Sequence, residues 1–222
     1  MKNQKTLRLV ESALCIAIAI VLEMVAKVIP FLNFPNGGTI TLVSMLPIII
    51  ISYKYGIKWG LLTGFVYSLT EILMGISTVN VAFIQGETFE DGVIWKAILM
   101  IFLDYIVAYT ILGFGGIFRK KIKNPSIALC LGSIFALLLR FIVHIISGFI
   151  LFKSWAEWFF NIDYIYNTIG AGILEKFSGD GLVLLYSTCY NGLYMIPEII
   201  FTAIVAIIIG NLPFIKKSFK NS

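Results

Sequence analysis

Apolar positions along this chain come in long runs, rather than in the alternation of a half-buried strand or the narrow stripe of a surface helix. A helix needs about 20 apolar residues to cross a hydrocarbon core. Six segments meet or approach that length: residues 7–30, 39–53, 57–76, 93–118, 126–152 and 181–212. The second is short and holds Pro47, so it is either kinked or starts in the interface. The pattern predicts an all-α integral membrane protein with six transmembrane helices in a single domain over residues 1–222. No internal repeat is visible, which gives no support to the repeat-built plan of many secondary transporters.

The polar connections test that count. Lys2, Lys5 and Arg8 precede the first span, Lys54 and Lys58 lie between the second and third, Arg119, Lys120, Lys121 and Lys123 between the fourth and fifth, and Lys216, Lys217 and Lys220 after the sixth. Six crossings put all twelve of these cations on one side, out of seventeen Lys and Arg in the chain. By the positive-inside rule that side is cytoplasmic and holds both termini. Five or seven crossings would put the basic tail on the wrong side. The opposite connections carry Glu87, Glu90, Asp91, Glu157, Asp163, Glu175 and Asp180 against Lys153 and Lys176. They comprise residues 31–38, with Pro and Gly turn chemistry, the acidic stretch 77–92, and the aromatic stretch 153–180. Aromatic residues at that level most often form an interfacial belt; the sharper reading is a lid over a ligand.

Composition agrees, with 59% hydrophobic and 13% charged residues and a mean hydropathy of +0.95. The basic N-terminus leads into an apolar run too long for a signal-peptide core and lacking a cleavage pattern, so we expect a retained first helix in a multi-pass membrane protein. A net charge of +5 would suggest nucleic acid in a soluble chain. Here the cations border membrane segments, so membrane lipid, and no nucleic acid, is the expected surrounding. Cys15, Cys130 and Cys189 stand singly in apolar segments and read as small packing residues. No GxxxxGK[ST] phosphate loop, HExxH or GxSxG occurs, and a single histidine excludes a multi-histidine metal site. The chain is not expected to hydrolyse ATP, hold a cofactor or act as an enzyme.

Polar residues inside the apolar runs are candidates for function because burying them in a bilayer is costly. Arg140, His144 and Gly148 recur at i+4 and share one face of the fifth helix. Glu71, Asp104 beside Tyr105, Tyr186, Asn191 and Glu198 are the others. Counted from the outer ends, Glu71, Asp104, His144, Tyr186 and Asn191 fall within roughly 8 to 17 Å of the outer surface, while Arg140 and Glu198 lie deeper. The bland readings are an Arg140 ion-paired to Asp104 or Glu198 and interhelical hydrogen bonds for the rest. Convergence at one depth favours a concave, mostly apolar pocket with a few oriented polar groups, suited to a small aromatic or cationic ligand. On the first helix, Ala13 and Ala17 form a small-xxx-small pair, extended by Ser12, Cys15 and Ala19, for internal packing or a partner helix.

Together these residues resemble the thiamine-specific substrate-binding (S) component of energy-coupling factor (ECF) transporters. The resemblance spans essentially the whole chain. It rests on Glu-Ser-Ala-Leu-Cys-Ile-Ala of the first helix, Leu-Pro-Ile followed by Tyr-Lys-Tyr-Gly, Gly60-Leu-Leu-Thr-Gly64, Leu-Asp-Tyr-Ile-Val-Ala, Arg-Phe-x-x-His-x-x-Ser-Gly and Tyr190-Asn-Gly-Leu-Tyr-Met-Ile-Pro-Glu198. It implies a six-helix protein that captures thiamine in an outward-facing pocket. Its implied partners are a transmembrane coupling (T) component, reached through Ala13 and Ala17, and two cytoplasmic ATPases. The implied ligand residues are Asp104 and Tyr105, His144 and Gly148, and Tyr186 and Asn191. Phe152 stands where family members can carry tryptophan, so Phe152 or Trp155 would supply stacking. The first connection, which can also supply a tryptophan in the family, has none here. The alternatives are a related pyrimidine precursor or another vitamin as ligand, a stand-alone secondary carrier, and an intramembrane enzyme pairing His144 with Asp104 or Glu198.

Overall fold

The computed structural model describes residues 2–34, 38–75, 94–213 and 215–216, with side chains from Gln4 onward. Among these, the regular elements are helical and the extended pairing is an isolated antiparallel bridge between Asn33 and Thr39. We label the helices α1 (Lys2–Lys27), α2 (Leu46–Tyr55), α3 (Ile57–Met74), α4 (Ile94–Gly116), α5 (Pro125–Leu151), α6 (Trp155–Phe160), α7 (163–176) and α8 (Gly179–Asn211). Four described stretches are long and apolar enough to cross a membrane: Gln4–Lys27, Ile94–Gly116, Pro125–Leu151 and Gly179–Asn211. Each overlaps an expected span. The acidic connection 77–92, residues 35–37 of the first connection, and Lys217 and Lys220 lie outside the described residues.

The bundle carries large apolar side chains on its outer face, as a lipid solvent allows. On α1, Leu14, Ile18, Val21 and Val25 are exposed, whereas Ser12, Ala19, Glu23 and Ala26 are buried against the other helices. The inner face follows the 3.6-residue period with small or polar residues, so the helix packs through close approach rather than through bulk. The same device joins α3 to α4, where a side chain at Gly113 would overlap the backbone of Gly60 and Leu61. Ser52 of α2 closes this junction, donating to the Gly113 carbonyl and accepting from the Gly116 amide at 3.0 Å. Its partners lie in the last turns of α4, so α2, α3 and α4 lock together at one end. α5 and α8 pack along each other.

The second expected span differs. Instead of a helix from Thr39, α2 begins at Leu46 with Pro47 in its first turn, where the missing N–H costs nothing. It ends at Gly56, whose φ of 94° is a conformation glycine adopts freely. At ten residues α2 is only about 15 Å long. It is buried nearly all round, as a helix apolar on every face must be. Residues 38–45 before it are irregular, with Leu42 and Val43 both left-handed at φ 51° and 67°. Irregular backbone at membrane depth must find its hydrogen bonds inside the protein, and here buried Glu198 of α8 provides them. It accepts the Thr41 and Val43 amides at 2.8 and 3.1 Å and the Thr202 hydroxyl at 3.3 Å. Ile40 donates to the Leu32 carbonyl at 2.9 Å, and Gly38 to the Tyr190 hydroxyl at 3.2 Å.

The aromatic stretch expected as a loop is also largely helical. α6 and α7 fold against the bundle, with Phe159 and Phe160 buried while Trp158, Tyr164 and Tyr166 face outward. The three cysteines are free, with Cys130 buried.

Candidate ligand-binding site

A cavity of about 760 Å³ opens where α1, α3 and α5 end and α4 and α8 begin. Antiparallel neighbours bring exactly such alternating ends to one side of a bundle, and its volume lies in the range of small-molecule sites, roughly 300–1,000 Å³. All eight residues expected at the ligand line it: Asp104, Tyr105, His144, Gly148, Phe152, Trp155, Tyr186 and Asn191.

Asp104 and Tyr105 sit in a π-helical stretch of α4, Ile101–Val107. Such a widened turn relaxes the regular spacing and recurs at functional sites; here it accompanies two sequence neighbours that both reach the cavity. Asp104 accepts from His144 Nδ1 at 2.9 Å and from the Ser147 hydroxyl at 2.6 Å. His144 Nε2 in turn accepts from Arg140 Nε at 3.1 Å. An arginine nitrogen can only donate, so Nε2 must carry the lone pair and Nδ1 the proton. The imidazole is therefore neutral and bridges a guanidinium to a carboxylate, leaving Asp104 lone pairs for a ligand.

This corrects the expected pairing of Arg140. Among the described residues it meets neither Asp104 nor Glu198 at ion-pair distance; Glu198 is engaged by the backbone of residues 41–43. The Arg140 guanidinium lies 4.2 Å from the Tyr109 ring centroid, contacts the Met45 sulfur and donates to His144. A flat, weakly hydrated cation can be held by an aromatic face where an ammonium would be costly to bury.

Asn191 donates to the Ser187 carbonyl at 2.8 Å and the His144 carbonyl at 3.3 Å, and its own oxygen accepts from Tyr194. Its amide thus ties α8 to α5 while its side chain also lines the cavity. Gly148 has a comparable packing role, since a side chain there would strike the Ser187 hydroxyl. Tyr186 begins a ladder with Tyr190 and Tyr194 at i+4 intervals, with ring centroids 5.9 and 6.1 Å apart and Phe159 packed behind the first two. Phe152 caps the end of α5, and Trp155, beside Trp158 at 5.3 Å, opens α6. Together they complete an aromatic wall.

Sequence reasoning missed several lining residues. Tyr109 was not singled out, Tyr190 and Tyr194 entered only as part of the Tyr190–Glu198 motif, and Met74 and Met100 carry no signal. Glu23 was the detectable one, an acid within the first apolar run on the face of Ser12, Ala19 and Ala26. It pairs with Lys27 at 2.9 Å and accepts from the Tyr67 hydroxyl at 3.2 Å. Ala13 and Ala17 are exposed on the opposite side of α1, away from the cavity.

Membrane-spanning helices around a cavity lined by aromatic side chains and a few polar ones define a helical membrane protein with an internal small-molecule site. The sequence profile of the thiamine transporter protein family matches residues 9–173, and the chain belongs to that family. It is 29% identical over 213 residues to the thiamine transporter ThiT of Bacillus subtilis (strain 168), covering 92% of this chain and 90% of that one. A solved structure of ThiT from Listeria monocytogenes shares the fold, with a TM-score of 0.65 at 18% identity over 98% of this chain and 99% of that one. The family is one of transporters, so the reading of an intramembrane enzyme is set aside.

Proposed function

We propose that this chain is the thiamine-capturing S component of an ECF-type, ATP-driven uptake transporter in the bacterial plasma membrane. It crosses the membrane six times, through α1, α2 with its irregular entry segment, α3, α4, α5 and α8, with both termini cytoplasmic. The grouping of the cations supports that orientation, and so does a cavity fed by the opposite ends of the helices, which would then face outward.

The observation that carries the reading is the neutral His144 bridge beside an unsaturated Asp104 in an aromatic-walled cavity. Thiamine offers an aminopyrimidine with hydrogen-bond donors and acceptors and a cationic thiazolium ring. Asp104 would accept from the amino group or face the cation, and the remaining Asn191 acceptor capacity would serve the same end. Tyr186, Phe152 and Trp155 would stack on the rings, with Tyr105 and Gly148 shaping the space between. The cavity lining also carries three carboxyl groups, Glu23, Glu71 and Asp104, against two cations, Lys27 and Arg140. That balance favours a cationic ligand over an anionic one.

Partner contacts are assigned to the exposed Ala13 and Ala17 on α1, which would meet the T component, with two ATPases completing the complex. The test is ligand identification by mass spectrometry after mild purification, followed by titration with thiamine. Thiamine should co-purify and quench tryptophan fluorescence. Recovery of a thiamine precursor, or of a different vitamin, would reassign the cavity.

A further inference from the structure

A polar cluster at the end of the bundle away from the cavity has no part in the site above. Glu11 of α1 accepts from Lys54 Nζ at 2.8 and 2.6 Å through its two carboxylate oxygens, and from the Tyr55 hydroxyl at 2.5 Å. The next residue, Ser12, accepts from Trp59 Nε1 at 2.9 Å and donates to the Arg8 carbonyl at 2.8 Å. The Arg8 guanidinium lies 5.2 Å from the Tyr55 ring centroid. Arg8, Glu11 and Ser12 share one face of α1 through their i+3 and i+4 spacing. Lys54 and Tyr55 end α2 and Trp59 sits in the first turn of α3, so the turn at Gly56 brings both sets of donors to that face.

The Lys54 and Glu11 side chains are only 17% and 27% exposed. A shielded pair whose carboxylate takes a further hydroxyl bond is held more firmly than an exposed one. What it holds is the loosest of the long helices. α2, α3 and α4 are already locked at this end by Ser52 and by the close approach of Gly60 and Gly113. α1 is the least buried of the four long spans, and its small inner residues give little interlocking bulk. The polar contacts therefore decide how its first half sits on that block. Glu11 and Ala13 are two residues apart, about 200° around the helix. Ala13 and Ala17 are exposed, so the cluster grips α1 from behind that face and Glu11 is turned away from a helix packed on it.

We infer that the contacts of Glu11 with Lys54 and Tyr55, and of Ser12 with Trp59, form a clasp that positions the Ala13 and Ala17 face of α1 for the coupling partner. This deepens the coupled-transport reading and rests on it. The clasp residues are positioning residues: they touch neither the ligand nor the docked helix, and they set the pose in which α1 meets it.

The test measures two quantities: the thiamine Kd of the purified full chain, and ATP-dependent thiamine uptake by vesicles carrying that chain with its coupling protein and ATPases. Glu11→Lys and Lys54→Glu should each lower uptake about tenfold or more while leaving the Kd within about twofold of wild type. The Glu11→Lys/Lys54→Glu double variant restores the pair with its charges exchanged and should recover at least about half of wild-type uptake. That recovery separates positioning from direct contact, because a Glu11 that touched the partner would not be rescued from α2. Single variants with wild-type uptake overturn the clasp, and so does a double variant no better than the singles. A Kd weakened in step with uptake overturns it too, since the cluster would then be a prop for the cavity. Should the charge variants fail to fold, Tyr55→Phe combined with Trp59→Phe keeps aromatic rings and removes both donors. Reduced uptake at unchanged Kd then supports the clasp, and uptake at the wild-type rate overturns it. Wild type that binds thiamine yet shows no uptake in the assembled complex would sink the coupled-transport reading and the clasp with it, whereas indifference of the variants alone would sink only the clasp.

Discussion

His144 is defined by what holds each nitrogen. Arg140 requires a lone pair on Nε2 and Asp104 then receives the Nδ1 proton, so the ring is fixed in tautomer and orientation before any ligand arrives. Removing it should cost both ligand contact and preorganisation. His144→Ala is expected to weaken thiamine binding at least about tenfold, or about 1.4 kcal/mol, in a fluorescence titration, with His144→Gln retaining more. Unchanged affinity in the alanine variant would remove the site assignment. The i+4 spacing of Arg140, His144 and Gly148 was legible in the sequence because helical geometry alone puts them on one face. The true surroundings of Arg140 were not, because Tyr109 and Met45 come from other helices and nothing in an apolar run announces a cation–π partner. Glu23 was legible in principle, as an acid on the small, inward face of α1.

Helix ends and irregularities show where local rules yield to their neighbours. Apolar pattern alone predicted a helix from Thr39, yet the chain turns left-handed at Leu42 and Val43 and starts α2 only at Leu46. A β-branched residue at positive φ is strained and persists only where its surroundings hold it there. Glu198, 155 and 157 residues away in sequence, does so through two backbone amides. Glu198→Ala should therefore destabilise the protein, each orphaned amide costing about 1–3 kcal/mol, and should open residues 38–45 to limited proteolysis. A melting temperature and cleavage pattern like those of wild type would refute this role. The π-helical stretch that carries Asp104 and Tyr105 likewise has no sequence signature of its own.

Over the whole molecule, lipid as solvent sets the distribution of residues. The outer faces are apolar, and the inner space holds small residues for close approach and polar residues for the cavity. Ala13 and Ala17 belong to the outer face of α1, remote from the ligand. Bulk there should disturb assembly and not capture. Ala13→Trp and Ala17→Trp are expected to leave the thiamine Kd within about twofold while abolishing ATP-dependent uptake in vesicles carrying the reconstituted complex. Uptake at the wild-type rate would argue against this face as the partner contact, and lost binding would mean that α1 transmits to the cavity.

The sequence by itself determined the helical membrane class, the location of the long apolar segments, and a set of polar positions that meet in one cavity. These follow from hydrocarbon thickness, the cost of burying charge and the helical repeat, all of which act along a single segment. Only the tertiary structure decided where α2 begins, what shields Arg140, and why Asn191 and Gly148 also serve packing. Those outcomes depend on which groups from distant helices meet, and pairings between helices leave no periodicity to read.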